Sequence, residues 1–354
     1  MLGLFGPKGP FRAQVKSTGQ SFQVSEKDNL LNAALGAGLR WPHNCRVGSC
    51  GTCRTRLVEG KIKPLQDFSY VLTQEELDQG YILACQSRLR SDVLVEVALE
   101  AGESAGVAVK SVSGVIEACG RLTHDILEMR IRLDEPLPTY VAGQYAEVLA
   151  EGMSSARSYS FARAPSENGA DEATFYVRRV PGGKFTDWLH GADRSGERVT
   201  VSGPYGQFWL RESERPIVLI AGGSGLAPIR AILKQACDAD CQRSMIFLFG
   251  ARAQRDLYCL DDIEEISRRL KGRFRFVPVL SDEPGESDWQ GARGLVTEFV
   301  HNQDLDLAAS EAYLCGPPPM IDAAIAVLKS SGLGDDHIFF DKFLDASHMP
   351  GGRK

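Results

Sequence analysis

CRVGSCGTC, residues 45–53, places three cysteines within nine residues. Cys45, Cys50 and Cys53 form a C-x4-C-x2-C pattern, and the next cysteine along the chain is Cys85. In this spacing four thiolates hold the two irons of a 2Fe-2S cluster. The stretch therefore predicts a metal site with these four cysteines as ligands.

The residues between the cysteines suit a loop that wraps a cluster. Such a loop turns backbone N–H groups toward negatively charged sulfurs, which requires unusual dihedral angles and close approach. Gly48 and Gly51 permit both. Arg46 adds positive charge beside the sulfurs.

Three other uses of these cysteines stay open at this point. Structural zinc usually takes two matched C-x2-C pairs, and this region has only one. A Rieske centre needs two histidines on one iron, and only His43 lies near the motif. Disulfide bonds would need an oxidising compartment, which no signal peptide indicates.

The composition is that of an ordinary globular protein, with 43% hydrophobic and 24% charged residues. A chain of 354 residues is expected to hold two or three domains. No apolar run approaches the ~18 residues of a membrane helix, so we expect no membrane partner and a cytoplasmic location. The net charge of −6 argues against nucleic acid as a partner. Residues 1–102 carry twelve Lys/Arg and ten Asp/Glu, net +2, which leaves −8 for the rest.

The segment around the cysteines predicts a small β-grasp-like domain over residues 1–102. Residues 11–26 read as a hairpin with alternating apolar positions, residues 29–39 as a short helix ending in glycine, and residues 92–99 as a closing strand. Residues 12–100 resemble the plant-type ferredoxins, which supports the cluster.

A linker of small residues, EAGESAGVAV (100–109), precedes a region of strands. Apolar residues alternate with polar ones in DILEMRIRL (125–133), which indicates strands with one wet face. An antiparallel β-barrel is predicted for residues 103–211.

Two motifs in this region suit a flavin, which needs an aromatic face, a hydroxyl or N–H near N5, and donors for its pyrophosphate. The strand RSYS offers Arg157, Tyr159 and Ser160 at closely spaced positions. Further on, two glycines turn the chain into a helix whose first amides can hold phosphate. The predicted flavin residues in this second motif are Val177, Arg178, Gly183, Lys184 and Thr186.

Strands and helices alternate in residues 212–354, which predicts a parallel sheet covered by helices on both faces. Ligands of such sheets bind beyond the carboxyl ends of the strands. GGSGLAP (222–228) and CGPPPM (315–320) mark two of these ends. Pro228 stands where the common dinucleotide fingerprint has its third glycine, and a buried structural role stays open for Cys315. The predicted nucleotide residues are Gly222, Gly223, Ser224, Gly225, Pro228, Cys315, Gly316, Pro317 and Met320.

Taken in their order along the chain, the two flavin motifs and the two nucleotide motifs resemble those of the ferredoxin-NADP reductase superfamily. With a ferredoxin at the N-terminus, nearly the full chain is similar to the reductase components of bacterial multicomponent oxygenases, such as benzoate dioxygenase and the methane and phenol monooxygenases. The resemblance implies FAD in the barrel, a nicotinamide nucleotide on the parallel sheet, and a cytoplasmic protein.

The resemblance also implies residue roles. Arg157 would pair with an FAD phosphate, Tyr159 would stack on the flavin and Ser160 would hydrogen-bond near N5. Cys315 and Gly316 would lie near the nicotinamide ring, and Phe343 would cover the flavin, with Phe339 and Phe340 as competing choices. Ser160, Cys315 and Phe343 are thus the expected catalytic residues.

The expected function is electron transfer from NADH through FAD and the cluster to an oxygenase component or its intermediary ferredoxin. Asp256 could bind an adenosine ribose hydroxyl, whereas Arg252 and Arg255 could attract the 2′-phosphate of NADPH; we favour NADH. The protein is expected to be a monomer. The same electron chain could instead serve a deoxysugar dehydrase, and a redox sensor would need a binding module that no segment offers.

Overall fold

The computed structural model describes residues 9–43, 46, 48, 51–99, 109–164, 169–301 and 305–343. The chain divides into two compact units, one ending at Gly106 and one spanning Val107–Ala346. Within the described ranges, no helix has both the length and the apolar character needed to cross a membrane. The predicted domain boundaries at residues 102 and 211 stay predictions.

The first unit is a mixed sheet with a helix packed on it, as the sequence predicted. Its main sheet has the strand order β2-β1-β7-β3-β5, in which only β1 and β7 run parallel, and β4 and β6 form a separate antiparallel pair. The elements are β1 (Phe11–Val15), β2 (Ser21–Val24), α1 (Leu30–Gly36), β3 (Arg54–Glu59), β4 (Ile62–Pro64), α2 (Gln74–Asp78), β5 (Tyr81–Leu83), β6 (Ser87–Leu89) and β7 (Val93–Glu96).

Local sequence explains both helices of this unit. The Asn29 side chain accepts the backbone N–H of Asn32 and starts α1, which buries its apolar residues against the sheet. Thr73 and Glu76 form a reciprocal capping box at the start of α2. The strands alternate buried and exposed residues, so the core lies between α1 and the sheet.

The second unit begins with a six-stranded antiparallel sheet of order β11-β10-β13-β8-β9-β12. Phe161, just after β11, pairs with Phe175 of β12, so the two edge strands meet and the sheet closes like a barrel. The elements are β8 (Lys110–Arg121), β9 (Ile126–Leu137), β10 (Tyr145–Ala150), β11 (Arg157–Ser160), β12 (Ala170–Arg178), α3 (Lys184–Gly191) and β13 (Arg198–Tyr205).

A six-stranded parallel sheet of order β17-β16-β15-β14-β18-β19 follows. Helices α4 and α5 pack on one face and α6 on the other, which confirms the predicted architecture. The elements are β14 (Ile217–Gly222), α4 (Leu226–Asp238), β15 (Met245–Ala251), α5 (Leu260–Arg269), β16 (Phe274–Leu280), β17 (Ala292–Arg293), β18 (Glu311–Gly316), α6 (Pro318–Ser330) and β19 (Ile338–Lys342). The strand order reverses between β14 and β18, so the ligand crevice is expected beyond their carboxyl ends.

A buried ion pair lies where β15 and β18 begin, at the end of this sheet opposite the expected ligand crevice. Arg243 donates to Glu311 Oε2 at 2.6 Å, and the two side chains are only 6% and 5% exposed. The guanidinium also donates to the carbonyl oxygens of Arg211 and Arg215, and the Tyr313 hydroxyl donates to the same carboxylate oxygen. The pair thus holds the segment that enters the parallel sheet against two of its strands.

Candidate functional site

Two of the four predicted cluster ligands lie together in the first unit. The Sγ atoms of Cys53 and Cys85 are 3.3 Å apart, and the residues are 3% and 1% exposed. They form no disulfide bond, so both sulfurs are placed where one metal ion could bind them. Cys45 and Cys50 lie outside the described residues. The donor set fits an iron-sulfur cluster.

Side chains from distant parts of the unit hold the loop that carries these cysteines. Gly48 has φ +78°, and a Cβ there would lie 2.0 Å from Gln66 Nε2. Gln66 Nε2 donates to the Gly48 carbonyl at 2.8 Å, and Gln86 Nε2 donates to the Arg46 carbonyl at 3.2 Å. Only glycine fits position 48.

Trp41 and Thr55 support the loop from below. The buried indole N–H of Trp41 donates to Thr55 Oγ1 at 3.2 Å, and the Thr55 hydroxyl donates to the Cys53 carbonyl at 3.1 Å. Sequence analysis missed these two residues and both glutamines. A hydrogen bond from a side chain to a distant loop leaves no periodic pattern, so the sequence carried no signal for them.

The predicted flavin residues of β11 lie beside the start of α3. The Tyr159 ring centroid is 5.5 Å from that of Phe185 in α3, and Ser160 is 5% exposed. Burial raises the pKa of the Tyr159 hydroxyl, so it stays protonated at neutral pH. Arg157 is exposed and donates to Ser155 Oγ at 2.8 Å. An aromatic ring, a buried hydroxyl and an exposed guanidinium thus share one strand, which fits a flavin nucleotide.

The turn before α3 is shaped by Thr186. Its Oγ1 accepts the Val180 N–H at 3.1 Å and lies 2.6 Å from the position of a Cβ on Gly183. Gly183 caps the helix without a side-chain hydrogen bond, which leaves the first helical amides without a side-chain acceptor at the cap. Lys184 is exposed beside them. Thr186 therefore fixes the shape of the turn.

Predicted nucleotide residues from β14 and β18 pack directly together. A Cβ on Gly225 would lie 2.2 Å from the Cys315 carbonyl oxygen, and a Cβ on Gly222 would lie 2.6 Å from Met320 Sδ and 3.1 Å from Pro317. These glycines let the two strand ends meet at the crevice. Ser224 is half-buried in the short 3-10 helix Gly223–Gly225, and Pro228 is buried in the first turn of α4.

Cys315 and Phe343 adjoin through Gly316. Cys315 is fully buried, and burial raises the pKa of its thiol, with the charge of Asp341 acting in the same direction. The Phe343 N–H donates to the Gly316 carbonyl at 2.9 Å. Phe339 instead stacks on Tyr313 with 5.0 Å between ring centroids. Phe340, the other competing aromatic, packs on the opposite face of the sheet. Phe343 is therefore the aromatic of the three nearest to this strand end.

Arg178, predicted among the flavin residues, also reaches the nucleotide loop. Its Nε donates to Asp125 Oδ2 at 2.9 Å, and its NH1 lies 3.4 Å from the position of a Cβ on Gly223. Burial acts to raise the pKa of Asp125, but a hydrogen bond from Thr123 and the Arg178 guanidinium outweigh it and hold that pKa below its usual range. Asp125 therefore stays ionised and fixes the guanidinium at the crevice.

The carboxylate of Asp256 is engaged within the protein. Its Oδ2 accepts the Ala253 N–H at 3.0 Å, and its Oδ1 lies 3.2 Å from His124 Nδ1. Arg252 is exposed nearby. A ribose hydroxyl that bound Asp256 would thus have to hydrogen-bond to a carboxylate oxygen that already contacts Ala253 or His124.

Tyr258, which sequence analysis missed, holds the nucleotide loop from beneath. Its hydroxyl donates to the Gly223 carbonyl at 2.9 Å, and the residue is 5% exposed. Gly223 has φ +55°, so this bond fixes a left-handed backbone conformation.

We expect Tyr258→Phe to raise KM for the nicotinamide nucleotide by roughly five-fold, because one hydrogen bond contributes about 1 kcal/mol. The rate at saturating nucleotide should change little, since the loop binds and does not react. Steady-state kinetics test this split. Tyr176→Phe, which removes only a hydroxyl 3.4 Å from Cys259 Sγ in the same apolar cluster, is the control. Equal KM effects in both variants would contradict a specific role for Tyr258.

Comparisons with known proteins match the three parts of the chain in order. A 2Fe-2S iron-sulfur cluster binding domain matches residues 13–90, an oxidoreductase FAD-binding domain matches residues 114–209, and an oxidoreductase NAD-binding domain matches residues 219–325. The zinc, Rieske and disulfide readings of the cysteines are thereby set aside in favour of a 2Fe-2S cluster.

Two curated relatives extend over nearly the whole chain. The xylene/toluene monooxygenase electron transfer component of Pseudomonas putida is 42% identical over 341 residues, which covers 96% of each chain. The reductase component of phenol 2-monooxygenase from Pseudomonas sp. (strain CF600) is 34% identical over 344 residues, again 96% of each chain. The solved structure of an Amycolatopsis cytochrome P450 reductase is 33% identical with a TM-score of 0.81, covering 94% of this chain and 98% of that chain.

Proposed function

This chain belongs to the family of electron-transfer reductase components of multicomponent oxygenases, and we propose that it passes electrons from NADH to the oxygenase component of a bacterial aromatic or hydrocarbon oxygenase system. The route runs through FAD and a 2Fe-2S cluster. The observation that carries the proposal is that one chain holds a buried thiol pair and, in a separate unit, a nucleotide crevice beside a flavin-type strand.

The cofactors explain why three sites occur together. When bound, FAD takes two electrons from a nicotinamide as hydride and can release them singly, and the cluster carries single electrons. The chain's own residues bind and orient these groups. We infer that Cys45, Cys50, Cys53 and Cys85 hold the cluster, because the two described sulfurs are adjacent and buried.

We propose that the flavin binds on β11 and at the start of α3. Arg157 is exposed and available to a phosphate, Tyr159 offers a ring and Ser160 a hydroxyl on the same strand. The amides at the start of α3, with Lys184 beside them, serve the pyrophosphate. Val177 is buried next to this site and shapes it by packing.

We propose that the nicotinamide nucleotide binds in the crevice between β14 and β18. Loop residues Gly222–Gly225 approach its phosphates, and Arg178 supplies positive charge from the barrel. Phe343, whose N–H donates to the Gly316 carbonyl, would cover the flavin ring, and Gly316 would let the backbone approach the nicotinamide ring. Cys315 is buried with a raised pKa, so its part is to pack as a neutral thiol rather than to act as a thiolate.

We propose NADH as the donor, with NADPH the poorer substrate. The support is the Asp256 carboxylate, which follows β15 and would repel a 2′-phosphate, whereas the Asp125 charge is already compensated by Arg178. Arg252 and Arg255 are exposed cations that would oppose this preference.

The oligomeric state, cellular location and partner of the protein are also part of the proposal. We propose that the protein acts as a cytoplasmic monomer and meets the oxygenase component, or an intermediary ferredoxin, as its partner, without nucleic acid or membrane. Support for a reducing compartment comes from the seven described cysteines, none of which forms a disulfide bond. The relatives are named as oxygenase components, which favours an oxygenase over a deoxysugar dehydrase as recipient.

Cytochrome c reduction by the purified holoprotein tests the route and the donor together. We expect NADH to drive reduction and NADPH to give a kcat/KM at least about ten-fold lower, since one charge repulsion of about 1.4 kcal/mol has that effect. Equal rates with both donors would refute the NADH preference. Absence of reduction with either donor would refute the electron route.

A further inference from the structure

The antiparallel pair β4–β6 carries four exposed cations on one face. Lys63 lies directly opposite Arg88, and the Arg90 N–H donates to the Lys61 carbonyl, which continues the pairing by one more step. The residues between them, Ile62 and Leu89, turn inward toward the core. We call Lys61, Lys63, Arg88 and Arg90 the basic ladder.

None of the four ladder cations forms an ion pair with a carboxylate among the described residues. Other cations of the same unit do: Lys16 and Arg56 pair with Glu96, and Arg54 pairs with Glu76. Like charges placed directly opposite on two strands destabilise the pair. Because all four cations are exposed and have no carboxylate partner among the described residues, the ladder is available to an anionic surface outside this unit.

The ladder begins beside the cluster ligand. Arg88 follows Cys85 by three residues, so their Cα atoms are separated by at most about 11 Å. Just beyond Pro64, the Leu65 N–H donates to the Gln86 carbonyl, and Gln66 contacts the Gly48 carbonyl of the cysteine loop. Leu65 is 42% exposed. The ladder and Leu65 thus form a basic surface with an apolar edge next to the cysteines.

We propose that this surface docks the electron acceptor, a separate protein with an acidic patch. The inference rests on the proposed function in taking the cluster as the point where electrons leave. The chain's own second unit, which is also acidic, is covalently tethered and needs no steering to meet the first. A diffusing acceptor gains from steering, because complementary charge raises association rates by ten-fold or more.

Stopped-flow electron transfer from the intact holoprotein tests the proposal. The protein is reduced with stoichiometric dithionite, so the test does not depend on NADH. It is then mixed with the soluble domain of cytochrome b5, an acidic one-electron acceptor, or with horse cytochrome c, a basic one. Salt is held near 0.1 M, where charges beyond about 10 Å are screened.

The double variant Lys63→Glu/Arg88→Glu should lower the second-order rate constant for cytochrome b5 by about ten-fold and raise that for cytochrome c. The control Lys16→Glu/Lys27→Glu makes the same change in net charge at exposed positions outside the ladder and should leave both constants nearly unchanged. Single Lys63→Glu places opposite charges across the strands. It should lower the rate constant for cytochrome b5 without lowering thermal stability. If Lys63 had only a structural role, the rate constant would fall only together with thermal stability.

Four results would overturn the proposal. One is an unchanged cytochrome b5 rate in the double variant, and another is an equal loss in the control. The third is a slower NADH-driven reduction of the cluster in the double variant with unchanged acceptor rates, which would make the second unit the occupant. A shift in oligomeric state between variant and wild type would likewise assign the ladder to a second copy of the chain. Failure of NADH to reduce the wild-type protein would instead refute the proposed function and leave the dithionite test intact.

Discussion

Cys85→Ala is expected to remove the iron from the protein and to abolish electron delivery to one-electron protein acceptors. Cys85 is 1% exposed with its sulfur 3.3 Å from that of Cys53, so no solvent ligand can take its place without rearrangement. Mutation of residues that only hydrogen-bond to metal ligands typically lowers metal affinity or activity by about 10- to 100-fold. Loss of a ligand itself should therefore lower the rate of cytochrome c reduction by at least about 100-fold.

The nucleotide and flavin sites lie in the other unit and should survive the change. NADH-driven reduction of ferricyanide, which needs no cluster, should stay within about two-fold of wild type. Cys237→Ala is the matched control, since Cys237 is also buried but belongs to α4 and packs in the apolar cluster of the second unit. If Cys85→Ala kept its iron and its cytochrome c activity, Cys85 would not be a ligand.

Glu311→Gln is expected to lower the free energy of unfolding of the second unit by about 3 kcal/mol, because it leaves the Arg243 charge buried without a partner of opposite charge. Asp134→Asn is the control: it breaks an ion pair with Arg198 of the same 2.6 Å length but with 39% and 46% of the side chains exposed. An exposed pair contributes no more than about 1 kcal/mol. Urea unfolding followed by tryptophan fluorescence measures both; the Trp209 ring centroid lies 4.1 Å from the guanidinium of Arg211, whose carbonyl oxygen accepts a hydrogen bond from Arg243. Equal shifts in the two variants would contradict the account.

The Arg243–Glu311 ion pair also predicts that the stability of the protein depends on pH. Burial acts to raise the pKa of Glu311, but hydrogen bonds from Arg243 and Tyr313 and the Arg243 charge outweigh it and lower that pKa. A carboxyl with a lowered folded pKa stabilises the protein above its ordinary pKa of about 4.3 and loses that contribution as pH falls through the folded value. The stability difference between wild type and Glu311→Gln should therefore shrink below about pH 4.

The sequence predicted the features whose chemistry admits few alternatives. Cysteine spacing around residues 45–53 and 85 specified the cluster, and the matched 2Fe-2S domain confirms it. Alternating apolar residues predicted the barrel, and continuous apolar strands separated by helices predicted the parallel sheet; both are present. Periodicity reports which face of an element is buried, so it identifies sheets well.

The support around the sites could not be predicted in this way. Trp41, Gln66 and Tyr258 each act through a hydrogen bond to a segment at least 14 residues away. Such bonds depend on how elements pack in three dimensions, and neither composition nor spacing encodes them. Arg178 likewise reaches Gly223 only because β12 ends beside the short 3-10 helix Gly223–Gly225 in the folded unit. The individual roles of the flavin and nucleotide residues remain predictions for the same reason.

The most direct test of the central claim is the electron paramagnetic resonance spectrum of the anaerobic protein after reduction by NADH. We expect the signal of a reduced 2Fe-2S cluster, integrating to about one unpaired spin per chain, and its loss in Cys85→Ala. A protein that shows flavin reduction by NADH but no iron-sulfur signal, or that carries zinc in place of iron, would contradict it.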